Sequence, residues 1–142
     1  MVDSNSMMHT TELDEIINKV NTTIVDKAVF AVLFGSVLSD RFTIESDIDI
    51  GVFFKQHSAD FDTFWDVKSE LQSVLNRDID LISMNTSDTI ITMQILANGR
   101  LILTNDPGLF CLYKAQKTSE YFDFKLDRKI IEDNMMQGRI YA

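Results

Sequence analysis

The segment Val29-Phe-Ala-Val-Leu-Phe34 carries no polar side chain and stops abruptly at Gly35-Ser36. A run that short and apolar on both faces reads as the central, buried strand of a sheet, covered above and below. At 142 residues the chain has the length of one compact domain with a real core.

The flanking patterns supply the remaining elements. Thr11-Glu12-Leu13-Asp14 has capping-box-like spacing, and Leu13, Ile16, Ile17, Val20 and Ile24 follow at helical intervals, predicting a first helix. Ile48, Ile50 and Val52 alternate with Asp47, Asp49, Gly51 and Phe53, the signature of a half-buried strand. Phe61, Phe64, Trp65, Leu71, Val74 and Leu75 form a helical stripe, capped by Ser58 or Asp60. Arg77 to Met84 reads as a strand with Ile79 and Leu81 on one face and Asp78 and Asp80 on the other. A helix from about Ser87 to Asn98 is expected to close on Gly99 as a left-handed cap, followed by a strand at Leu101–Thr104. Asp106-Pro107 opens a long helical region, expected to break near Thr118-Ser119, with Tyr113 and Tyr121 on its core stripe. The pattern is α/β with a helical C-terminal third.

Charge and cysteine usage narrow the setting. There are 13 Lys+Arg against 22 Asp+Glu, a net charge of −9. Such a surface repels phosphate backbones, so no direct DNA or RNA binding is expected. Cys111 stands alone, which fits a reducing compartment. No apolar run can span a bilayer, and MVDSNSMMHT lacks the basic start and apolar stretch of a signal peptide. The expectation is a soluble cytoplasmic protein without membrane association. Met135 to Ala142 is either a docking segment for a partner or a frayed end.

Several familiar sites are excluded. Glycines at 35, 51, 99, 108 and 138 make neither GxGxxG nor a Walker A loop, and His9 and His57 make no HExxH helix. There is no GxSxG elbow, and one cysteine forms no zinc cluster. What remains is carboxylates. Asp-x-Asp occurs at 47/49, 60/62 and 78/80, so the triplet alone is weak evidence. Asp60 and Asp62 start a helix, where they favour its dipole.

Asp47 and Asp49 differ because they lie on a strand, with both side chains on one side and Ile48, Ile50 and Val52 anchored opposite. Two like charges held together call for a cation, and magnesium takes carboxylates plus phosphate oxygens. The plainer reading pairs these aspartates with Arg41, Arg77 or Lys55 at the surface. Gly35 lets the chain turn sharply with N–H groups facing an anion, and the Ser36 hydroxyl extends that cradle. Asp78 or Asp80, on the next strand, supplies a third carboxylate for deprotonating an acceptor hydroxyl.

Gly35-Ser36, ten residues, then Asp47-Ile48-Asp49 resembles the signature of the polymerase-β-like nucleotidyltransferases. Phe34-Gly35-Ser36, Ser46-Asp47-Ile48-Asp49-Ile50 and Ile79-Asp80-Leu81-Ile82 are similar, in order, to the minimal nucleotidyltransferase (MNT) antitoxin type. Ile95–Leu103 and Tyr121-Phe122-Asp123-Phe124 extend the resemblance over about 29–124. It implies a polymerase-β-like nucleotidyltransferase fold, a small mixed sheet flanked by helices. One domain would span 1–142, with a core at about 10–105 and a helical region at about 106–137. By the resemblance, Gly35 and Ser36 contact the triphosphate, and Asp47, Asp49 and Asp80 serve catalysis and bind Mg2+. Asp80 is preferred to Asp78 because it precedes Leu81-Ile82.

Relatives often carry a small residue, a basic residue and Gly where this chain has Leu38, Ser39 and Asp40. Asp40 adds negative charge near the phosphates, and Arg41 is assigned to offset it. The implied activity is transfer of AMP from ATP to a tyrosine of a HEPN-domain ribonuclease toxin, within a toxin–antitoxin hetero-oligomer. Two alternatives are an antitoxin that blocks by binding alone and a small-molecule, aminoglycoside-type nucleotidyltransferase.

Overall fold

β1 (Ala28–Phe34) lies inside a four-stranded sheet of order β3-β2-β1-β4. It pairs antiparallel with β2 (Ile48–Phe54) on one side and β4 (Arg100–Thr104) on the other. β3 (Ile79–Ser83) runs parallel to β2, because α2 (Phe61–Leu75) carries the chain between them as a crossover. The computed structural model describes residues 4–43 and 45–136, with side chains from residue 11 onward. The mixed sheet with flanking helices is the architecture the sequence pattern and the resemblance imply.

Strand alternation divides the core in two. Ala31, Leu33, Ile48, Ile50, Val52, Ile79 and Leu81 point to one face, against Ile16, Val20 and Ile24 of α1 (Ser4–Ile24) and Val67 and Leu71 of α2. On the other face Phe30 and Val32 meet Met84, Ile95 of α3 (Thr89–Asn98) and Tyr113 of α4 (Pro107–Met136). There Phe30 stacks on Phe53 at 5.1 Å and meets Phe110 and Tyr113 edge-on. The Tyr113 hydroxyl donates to the Met84 carbonyl at 2.7 Å, and burial pushes this phenol's pKa up. Each large side chain buried in this way contributes roughly 1.5–3 kcal/mol.

Three expected boundaries move. α1 begins at Ser4, which leaves Thr11–Asp14 inside a helix. No Gly or Pro separates Ser4 from Thr11 to stop propagation, so the helix extends upstream past the Thr-x-x-Asp spacing. α4 runs unbroken through Thr118-Ser119, where the Thr118 hydroxyl donates to the Lys114 carbonyl at 2.7 Å and so accommodates itself within the helix. Gly99 is extended (φ −89°), not left-handed. A Cβ there would collide with Val32 Cγ1 and the Ile95 carbonyl, so close approach of α3 to β1 is what requires glycine. The left-handed cap belongs to Asn76, after α2 (φ 52°).

Other ends follow their local chemistry. Asp60, not Ser58, caps α2 by accepting from Thr63 N–H at 3.3 Å and Thr63 Oγ1 at 2.6 Å. Asp106 accepts from Leu109 N–H at 3.0 Å, with Pro107 first in α4. Tyr121 is only half-buried. Met135 and Met136 are exposed, while positions 137–142 of the expected docking segment, like 1–3 at the other end, lie outside the described residues. Cys111 is exposed, and no helix among the described residues is long and apolar enough to cross a membrane.

Candidate active site

Alternation sends Asp49 and Asp80 to the α3 side of the sheet, and the parallel register makes them direct neighbours. The two carboxyls act on each other, and the pKa of Asp49 is pushed up to about 6. Burial is the largest cause, followed by the charge of Asp80, the shared hydrogen bond and the charge of Asp47. Asp47 precedes β2, is exposed, and acts on Asp49 through its charge. Asp78 contributes its backbone instead, its carbonyl accepting from Ile48 N–H at 3.1 Å. Of the two candidates for a third carboxylate, Asp80 is the one brought against Asp49.

The Gly35-Ser36 turn opens beside this pair, because Phe34 is the register partner of Asp49 across β1 and β2. Gly35 has φ +81°, and a Cβ there would collide with Asp49 Oδ2. Both the conformation and the space demand glycine. The residue starts a 3-10 turn, Gly35–Leu38, pinned by buried Val37. The first N–H groups of such a turn have no partner within it and suit an anion.

Arg77 organises the loop that delivers Asp47. Its Nη1 donates to the Thr43 carbonyl at 2.9 Å and the Ser46 carbonyl at 3.3 Å, while Nη2 pairs with Glu12 at 2.7 Å. The guanidinium also lies 4.3 Å from the Phe42 ring centroid. None of Arg41, Arg77 or Lys55 forms an ion pair with Asp47 or Asp49 among the described residues. Arg41 and Asp40 are exposed on the same loop, and Arg41 is not among the groups acting on Asp49.

A cavity of about 490 Å³ begins at Gly35 and is lined by Phe34, Ile82, Ile91, Gln94, Ile95 and Asn98. An apolar lining with two amides at this size suits a nucleoside. Sequence reasoning missed these residues as a group, since they come from β1, β3 and α3 and share no motif.

No three carboxylate, imidazole or thiol groups form a ready-made metal cluster among the described residues. The donor set is instead half a site: two carboxylates side by side in register, a third charge nearby, and a repulsion that a cation would relieve. Those residues fit a hard divalent cation that draws further ligands from phosphate and water.

Residues 12–108 match the sequence family described as Polymerase beta, Nucleotidyltransferase. The protein adenylyltransferase MntA of Shewanella oneidensis is 27% identical over 114 residues, covering 79% of this chain and 79% of that relative. A crystal structure of a toxin–antitoxin with AMP-PNP aligns with a TM-score of 0.71 at 26% identity, covering 84% of this chain and 98% of that one. The chain is also similar to a structure of the tri-AMPylated Shewanella oneidensis HEPN toxin in complex with its MNT antitoxin. That match has a TM-score of 0.65 at 25% identity, covering 90% of this chain and 98% of the other.

Proposed function

The chain belongs to the polymerase-β nucleotidyltransferase family, and from that premise we propose that it transfers AMP from ATP to a tyrosine hydroxyl of a HEPN-domain toxin, acting as its antitoxin. The observation that carries this reading is the Asp49–Asp80 register beside the Gly35 turn. It sets cation-seeking oxygens against anion-seeking N–H groups, as a nucleoside triphosphate with its metal requires. The relatives that carry AMP chemistry and a HEPN partner support the acceptor.

In this reading Gly35 and Ser36 hold the triphosphate, Arg41 offsets the charge of Asp40, and the cavity at Phe34 and Ile91 takes the nucleoside. Asp47, Asp49 and Asp80 would hold Mg2+, which when bound neutralises phosphate charge and acidifies a nearby hydroxyl. The tyrosine oxygen bonds to the α-phosphorus, and the α–β bridging P–O bond breaks to release pyrophosphate. Asp80 Oδ accepts the tyrosine proton. The same reading assigns the protein to the cytoplasm, which its use of ATP and the exposed Cys111 thiol support. Blocking by binding alone would leave the cost of a repelling carboxylate cluster unexplained.

The test is the intact mass of the HEPN partner after incubation with this protein, ATP and Mg2+. AMP-sized increments are expected with the unmutated chain and none with Asp47→Asn/Asp49→Asn. A silenced partner of unchanged mass would overturn the transfer reading.

A further inference from the structure

β3 is an outer strand of the sheet, and half of its backbone faces away from β2. Bonding alternates along a parallel pair. The Asp78 carbonyl accepts from Ile48 N–H, and Met84 N–H donates to the Val52 carbonyl, so the even-numbered residues face β2. Ile79, Leu81 and Ser83 therefore aim their N–H and C=O groups outward. Of these, the Ser83 carbonyl is taken by the N–H groups of Thr86 and Ser87.

At this edge lies a cleft of about 530 Å³, lined by Leu81 and Ser83 of β3, Phe61 and Trp65 of α2, and Ile91 of α3. Phe61 is 73% exposed and Trp65 45%, yet their rings pack edge-on at 5.9 Å, and Trp65 also abuts Phe64 at 5.6 Å. Large aromatics held in place but open to solvent are the usual anchors of a protein contact. Asp80 sits on the same strand, immediately before the cleft.

We propose that this edge is where the acceptor protein docks. An extended segment of the partner adds to the outer edge of β3, seats an apolar side chain against Phe61 and Trp65, and is thereby led past Asp80. The proposal rests on the reading that the acceptor is a protein, and it specifies how that protein is engaged. A row of outward backbone donors and acceptors matches a polypeptide, since an added strand satisfies them in sequence. Alternation turns every second side chain of that segment toward the face of Asp49 and Asp80. A second copy of this chain fits poorly: each carries a net charge of −9, and β3 paired antiparallel about Leu81 would set Asp80 of one copy diagonally across from Asp80 of the other, on one face of the joined sheet.

The experiment measures the Kd of the HEPN partner for the full-length chain and for Phe61→Ser/Trp65→Ser, with AMP-PNP affinity and AMP increments on the partner read in parallel. Both side chains are exposed, so the variant should fold, and Phe61→Leu serves as the conservative control. The expected result is partner binding weakened at least tenfold in the double variant, restored in part by leucine, with AMP-PNP affinity unchanged. Amide exchange at Leu81 and Ser83 should slow on complex formation. An unchanged Kd, or unprotected β3 amides in a stable complex, overturns the docking site while AMP increments keep the transferase reading. Edge-dependent binding without any increment supports the docking site and removes the transferase reading.

Discussion

The β2–β3 junction and the first turn of α2 contain the same local pattern, Asp-x-Asp, and the fold drives their carboxylates in opposite directions. Asp60 stands at a helix start, fully exposed, accepting from the side chain and backbone of Thr63, and is held below the usual carboxylate range. Asp49 lies partly buried against Asp80 and is pushed up to about 6. One carboxylate is stabilised as an anion by donors within its own turn. The other is destabilised first by burial and then by a neighbour far away in sequence, and that instability makes it a place for a cation. A motif of two aspartates has no chemistry of its own until register or capping assigns its partners.

The contrast is tested most severely by Asp49→Asn, expected to lower AMP transfer by about 10³-fold or more. Its melting temperature should hold or rise, because a like-charge contact is removed. Asp60→Ala should do the reverse, lowering the melting temperature by a few degrees and leaving AMP-PNP affinity intact. Equal behaviour of the two variants in both measurements would break the comparison.

Gly35→Ala comes next. A left-handed non-glycine backbone costs roughly 1–2 kcal/mol, and the added methyl displaces Asp49 Oδ2. Transfer should fall by about 10²-fold, measured as initial rate at saturating ATP, with a modest loss in melting temperature.

The pH dependence sharpens the comparison further. Between about pH 4 and 6 the folded state holds a proton on Asp49 that the unfolded chain releases. Stability therefore falls as pH rises through that window. The slope should be absent in Asp49→Asn melts. Divalent-cation affinity should climb over the same range as the proton leaves. Asp60, with its lowered pKa, has the opposite sign: its stabilisation is lost only as pH falls through the folded value.

The smallest effect is expected from Arg77→Ala, which frees the carbonyls of Thr43 and Ser46 on the approach to Asp47. Cation affinity should drop about tenfold with a small change in kcat. Arg77→Lys should recover only part, since an ammonium cannot reproduce the forked contacts. Titration of Mg2+ against transfer rate separates the two parameters.

The sheet and its helices were legible because their periods are strong: the all-apolar β1, the alternation around Ile48–Val52 and the stripe from Phe61 to Leu75 each admit one reading. Boundaries set by neighbours were not. Gly99 looks like a cap in sequence, and only the approach of Val32 shows why it is glycine. Thr118-Ser119 looks like a break until the Lys114 carbonyl takes the hydroxyl. At the site, spacing singled out Asp47 and Asp49, but Asp78 and Asp80 share one parity, and sequence pattern alone left both open. Register separates them, as Asp80 falls opposite Asp49. Arg77 read as a possible counterion for those aspartates, whereas it binds the backbone of the loop that carries one of them. The cavity residues Gln94 and Asn98 carry no signal at all, because a cavity exists only after α3 has packed.

The most direct measurement of the central claim is calorimetric titration of AMP-PNP with Mg2+ into the unmutated chain, Asp49→Asn and Asp60→Ala, with a metal-free run of each. Mg2+-dependent binding is predicted for the unmutated chain and Asp60→Ala, and none at the same concentrations for Asp49→Asn. Equal, Mg2+-dependent affinity in all three proteins would contradict the assignment of the nucleotide–metal centre to the junction of β2 and β3.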